Sequence, residues 1–148
     1  MKVVDTNIFI EYLLNGERAS KAEDLLSRNP DLAVTNVIID EVEFVIIRRL
    51  ASVRLGIRSL KRLKEYIKRN GLRFAYDALK KYTDMLRELE IAVLKDYAEP
   101  YELLETMMRF NLTPSDAIIA LTCKHYGIKT IITFDEDFKR IPWLKTLP

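Results

Sequence analysis

The sequence predicts an α/β fold of three layers, with a central parallel sheet of about four to five strands covered by helices on both faces. Short β-branched runs alternate with longer stretches of helical periodicity along the whole chain, the pattern of βα units whose strands lie parallel. The run Lys129 to Phe134 is almost continuously apolar, as a strand buried on both faces is. At 148 residues the chain can bury a real core without disulfides or structural metal. With no repeat, linker or low-complexity tract, residues 1–148 read as one domain.

The first strand is Lys2 to Asp5, after which Thr6 or Asn7 can cap a helix with an apolar stripe of Ile8, Phe9, Tyr12 and Leu13, ended by Asn15-Gly16. Ser20 to Asn29 is a second amphipathic helix, and Leu32 to Thr35 a second strand. A long helix follows from Val37 to about Leu55, its stripe running through Ile38, Ile39, Val42, Val45, Ile46 and Leu50. Glu41 borders that stripe and can face inward, whereas Asp40 points the other way. Phe44 and Ile47 lie off the stripe and need another cover, for which a homodimer surface is one candidate. Ile57 to Asn70 and Leu72 to Glu90 form a helical hairpin, Ile91 to Leu94 a third strand, and Glu102 to Phe110 another helix.

The chain is organised around Thr113 to Phe138. Thr113 is an N-cap, Pro114 suits the first helical position, Asp116 falls three residues after the cap, and Gly127 stops the helix. Ile118, Ile119, Ala120, Leu121, Cys123 and Tyr126 make this helix apolar on most faces, so it should be largely buried. The strand Lys129 to Phe134 then runs directly into Asp135, Glu136 and Asp137. Trp143 packs near the end.

Net charge is only +2, but its distribution is uneven. Arg48 to Lys81 holds 12 of the 24 basic residues and 2 of the 22 acids, so that segment carries +10 and the remainder −8. A basic helical segment of about residues 48–90 on an acidic body is either a solvated hairpin or the footprint of a phosphate-backbone binder. One Cys and one His exclude a zinc cluster, a Cys-His nucleophile pair and a disulfide framework. No apolar run is long enough to span a bilayer and no signal peptide opens the chain, so a cytoplasmic protein is expected. Neither GxxxxGK[ST] nor GxGxxG occurs. Asp5 lacks the second Asp two positions on that a phosphoaspartyl phosphatase requires, and a receiver-domain acidic pair is not evident.

Ligands of parallel α/β sheets bind outside the carboxyl ends of the strands, where Asp5 and Asp135 lie. Asp116 and Glu41 can reach the same edge from two helices. Each has a plainer reading: Asp116 as the capping-box partner of Thr113, Glu41 as a helix-boundary carboxylate, Asp135 to Asp137 as an acidic turn. If the four converge, their repulsion calls for a cation, and oxygen ligands without His or Cys select Mg²⁺ or Mn²⁺. Such an ion can polarise a phosphodiester and lower the pKa of an attacking water.

The stretches VVDTNIFIEYL, VTNVIIDEV and TPSDAIIALTCKHYGIKTIITFDEDF resemble, in order and over essentially the whole chain, the motifs of the PIN-domain family, especially VapC-type toxin ribonucleases. The resemblance implies that Asp5, Glu41, Asp116 and Asp135 are the acidic metal-site positions, with Asp137 in a secondary acidic place and Thr6, Asn7 and Thr133 as supporting polar groups. It implies Mg²⁺- or Mn²⁺-dependent RNA cleavage, homodimerisation and often a small antitoxin partner. The resemblance does not dictate the basic segment; if that segment binds phosphate backbones, Arg58, Lys61, Arg62, Lys68 and Arg69 are the candidates for contact with RNA phosphates. A PIN-like RNA-binding or scaffold protein with little activity is the alternative.

Overall fold

The computed structural model describes residues 1–148. Five parallel strands, β1 (Lys2–Val4), β2 (Leu32–Thr35), β3 (Ala92–Leu94), β4 (Thr130–Ile132) and β5 (Lys145–Leu147), lie in the order β3-β2-β1-β4-β5. Val3 and Val4 point to opposite faces of the central strand, and both are wholly buried. The sheet is therefore covered on both sides, as its apolar strands require. The helices are α1 (Thr6–Leu13), α2 (Ala19–Arg28), α3 (Asn36–Leu55), α4 (Leu60–Asn70), α5 (Tyr76–Glu88), α6 (Pro100–Phe110) and α7 (Pro114–His125).

The strand order decides where a ligand can sit. From β1 the chain moves outward to β2 and β3, then returns to the other side of β1 for β4 and β5. The reversal opens a crevice between the carboxyl ends of β1 and β4. Val3 pairs with Ile131 and Val4 with Ile132, so the residues that follow these strands, Asp5 and Thr133, emerge side by side.

Local chemistry accounts for the helix ends at that crevice. Thr113 caps α7, its Oγ1 accepting from Asp116 N, with Pro114 at the first helical position. Gly127, at φ +69°, supplies the left-handed turn into β4. Residues Ile119 to Cys123 are buried, as the apolar periodicity predicts, whereas Tyr126 is exposed because α7 has already ended at His125.

Three features depart from the sequence reading. The cap of α1 is Asp5, whose side chain accepts from Thr6 N, so Thr6 and Asn7 lie inside the first turn. Helix α6 begins at Pro100, with Glu99 as its cap, before the Glu102 start that periodicity gave. Strand β5 was not anticipated: Lys-Thr-Leu carries little β signal, and it forms because β4 offers an open edge. Trp143 does pack, donating from Nε1 to Ala120 O at 3.0 Å and meeting Phe110 edge-on.

Candidate active site

Asp5 is 5% exposed, a buried carboxylate at the end of the central strand. Burial of a charge is tolerated only with hydrogen-bond partners, and three groups provide them. Thr6 N donates to Oδ1 at 2.8 Å, while Asn7 Nδ2 and the Thr133 hydroxyl donate to Oδ2 at 2.7 and 2.6 Å. Thr133 Oγ1 in turn accepts from Asp135 N at 2.9 Å, and Asn7 Oδ1 accepts from Phe134 N at 3.0 Å. The polar groups Thr6, Asn7 and Thr133 thus lock the ends of β1 and β4 together around one carboxylate.

Glu41 reaches the crevice from α3 and accepts the Thr6 hydroxyl at 2.8 Å. Asp40 is exposed, so the helical phase read from the sequence holds. Asp116, at the first turn of α7, accepts the Thr113 hydroxyl at 2.7 Å and still borders the crevice. It is the capping-box partner of Thr113 and also lines the cavity. Asp135 accepts from Asp137 N at 2.8 Å. Asp137 stands farther out, ion-paired with Arg140 and outside the lining of the cavity.

Asp5, Glu41, Asp116 and Asp135 line a single cavity of about 460 Å³ together with Thr6, Asn7, Arg18 and Arg49. Burial pushes the Asp5 carboxyl up to about 6, against the lowering effect of its Thr133 and Thr6 hydrogen bonds, and the charges of Asp116 and Glu41 add to the rise. Burial also raises Asp116, with the Thr113 hydrogen bond opposing and Glu41, Asp135 and Asp137 contributing. The acids therefore sense one another, although no three of them converge tightly enough to enclose a cation by themselves. A second cavity of similar size, about 470 Å³, lies away from these acids, lined by Tyr12 and by residues of α2 and α5.

The sequence matches the PIN domain family over residues 2–144. The chain belongs to the PIN domain family. Among curated relatives, this PIN domain is 26% identical to Ribonuclease VapC6 of Methanocaldococcus jannaschii, over 97% of this chain and 94% of the relative. It is also 26% identical to Ribonuclease VapC2 of the same organism, over 97% and 90%. Among solved structures it resembles VapC20 of Mycobacterium tuberculosis, a Sarcin-Ricin loop cleaving toxin, with a TM-score of 0.67 at 18% identity over the full length of both chains. A toxin-antitoxin complex from Klebsiella pneumoniae contains a chain that matches with a TM-score of 0.58 at 21% identity, over 99% of this chain and 97% of that one. At these identities the structural likenesses establish the fold.

The basic segment of this PIN domain forms the helices α4 and α5. Arg58, Lys61, Arg62, Lys68 and Arg69 are all exposed, and none is ion-paired or lines the acidic cavity. Phe44 is 43% exposed and lines the cavity rim. Sequence reasoning missed Glu11, Arg18 and Arg49 as neighbours of the acids. Arg49 lies two helical turns beyond Glu41 on α3, a spacing that could have shown it. Arg18 is brought in by the turn between α1 and α2, which no periodicity encodes. No helix is long and apolar enough to cross a membrane.

Proposed function

We propose that this PIN domain is a metal-dependent endoribonuclease and the toxin of a toxin–antitoxin pair. The observation that carries the reading is the lining of one cavity at the β1/β4 crevice by Asp5, Glu41, Asp116 and Asp135. The donor set fits Mg²⁺ or Mn²⁺: the groups are hard oxygens, and the two acids raised by burial and mutual repulsion are those a cation would relieve. PIN domains are generally metal-dependent. Asp5, Glu41, Asp116 and Asp135 would hold the ion, with Asp137 at one remove. When bound, Mg²⁺ or Mn²⁺ supplies Lewis acidity to the phosphodiester and lowers the pKa of water.

The protein's own groups prepare that site. Thr6, Asn7 and Thr133 fix both oxygens of Asp5, so the carboxylate is oriented before substrate arrives. The exposed cations in and just before α4, Arg58 to Arg69, hold RNA by its phosphates without reading sequence. A homodimer, with exposed Phe44 and half-buried Ile47 in its contact, would set two acidic cavities beside one groove. A small antitoxin is the expected protein partner.

A second reading, a PIN-like RNA-binding or scaffold protein with little activity, is favoured by one observation: no three of the acids converge on a point. Incubation of the protein with single-stranded RNA in Mg²⁺, Mn²⁺ or EDTA separates the two. Cleavage with either ion and none in EDTA is the expected result. Cleavage unchanged by EDTA would sink the metal mechanism, and RNA that is bound but left intact by both ions would favour the second reading.

A further inference from the structure

We propose that Arg18 is a phosphate-binding residue at the rim of the acidic cavity, gripping a backbone phosphate next to the scissile one; the proposal rests on the nuclease reading of that cavity. Arg18 lines both the cavity of the four acids and the shallower hollow beside it formed with Asn7, Phe134, Asp135 and Glu136. An arginine present only to balance charge would pair with Asp5, Glu41, Asp116 or Asp135. Arg18 pairs with none of them. Its guanidinium carbon lies 4.2 Å from the centroid of the Phe134 ring, and Nη2 approaches Glu11 Oε1 at 3.4 Å. Glu11 also accepts from Arg18 N at 2.9 Å, so one carboxylate fixes both the backbone and the tip of the residue.

The guanidinium is thus held by one flat face and by one edge. Of its five N–H donors only the Nη2 contact with Glu11 is committed within the protein, and the side chain is 50% exposed. A planar fork that is already oriented, with free donors at the mouth of an acid-lined cavity, matches the bidentate geometry of a phosphodiester. Orientation in advance also reduces the entropy lost on binding. Phe134 lies two residues past β4 and its N–H is held by Asn7, so the platform under Arg18 is tied to the same network that orients Asp5. The ligand class is a nucleic-acid backbone phosphate.

The test compares the full-length wild type with Arg18→Gln, Arg18→Lys and Glu11→Gln. A fluorescent single-stranded RNA is titrated by anisotropy in EDTA, cleavage of the same RNA is followed with Mn²⁺, and thermal melts are recorded. Arg18→Gln is expected to weaken binding and raise KM by about tenfold, the loss of one charge-assisted contact, with kcat little changed. The slope of log affinity against log salt should fall by about 0.7. Arg18→Lys should recover part of the binding, since it keeps the charge without the fork, and Glu11→Gln should weaken binding with Arg18 still present. A lower melting temperature with wild-type KM and salt slope in Arg18→Gln would overturn the proposal and leave Arg18 as a brace for the α1–α2 turn. Wild type that binds RNA in an Arg18-dependent way but does not cut it would sink the nuclease reading alone, and wild type that binds no RNA would overturn both.

Discussion

The Thr133 hydroxyl donates a 2.6 Å hydrogen bond to Asp5 Oδ2, joining residues 128 apart in sequence at the adjoining ends of β1 and β4. It is the strongest single influence holding Asp5 below the pKa that burial alone would set. Thr133→Val removes this donor without changing volume. We expect Asp5 to rise above about 6, the acid limb of the activity profile to move upward by about one unit, and stability to fall by about 1–2 kcal/mol. Thr133→Ser should restore both. An unchanged pH–rate profile in the valine variant would separate Asp5 from the rate.

The raised Asp5 pKa has a definite sign in folding. The unfolded carboxyl titrates at 3.8 and the folded one at about 6, so between those values the folded state binds more protons. Stability from this group is therefore present below about pH 4 and lost as pH rises through about 6, by up to roughly 3 kcal/mol. The melting temperature of EDTA-treated protein should rise between about pH 7.5 and about pH 5. Mn²⁺ affinity, measured by calorimetry, should run the other way, weakening up to about tenfold per unit below pH 6 as a proton competes for Asp5.

Asp116→Asn is expected to remove most cleavage while leaving the melting temperature of the EDTA-treated protein unchanged or higher. Its remaining carbonyl oxygen can still accept from the Thr113 hydroxyl, and the repulsion that raises Asp5 is lessened. A variant that melts well below wild type would show that the negative charge of Asp116 stabilises the fold.

Glu41→Gln and Asp40→Asn form a matched pair, one side chain lining the cavity and the other exposed on the same helix. The first should reduce kcat/KM by at least about a hundredfold and the second by less than about twofold, as judged by RNA cleavage under identical Mn²⁺. Comparable losses in the two would move the site off this face of α3.

The cations in and just before α4 give an expectation about salt. Replacing Arg58, Lys61, Arg62, Lys68 and Arg69 with Glu should flatten the salt dependence of RNA affinity, by about 0.7 in slope for each phosphate contact removed. Weaker binding with bound RNA still cut would assign the helix to capture. Affinity that keeps its salt slope after all five changes would place the phosphate path elsewhere.

Much of this arrangement is legible in the residues themselves. The Thr113-Pro114-Asp116 start of α7 is local capping chemistry, and Glu41 could be told from Asp40 because α3 has a clear apolar stripe. Asp5 was found as a strand-end acid, but its capping of α1 was assigned to Thr6 or Asn7, since all three residue types cap and only the backbone decides among them. Strand β5 and the placing of Arg18 depend on tertiary partners, the free edge of β4 and the ring of Phe134, that no local pattern announces.

The crevice at the strand reversal has a consequence for synthesis. A ribosome makes Asp5 and Glu41 early, yet Asp135, which completes the cavity lining, and Thr133, which holds Asp5, come only after β4, far along the chain. A copy terminated before β4 carries Asp5, Glu41 and Asp116 but lacks Asp135 and has no partner for the central strand on that side. Chains that stop before β4 therefore lack the assembled pocket, which forms only after β4 and Asp135 have been made.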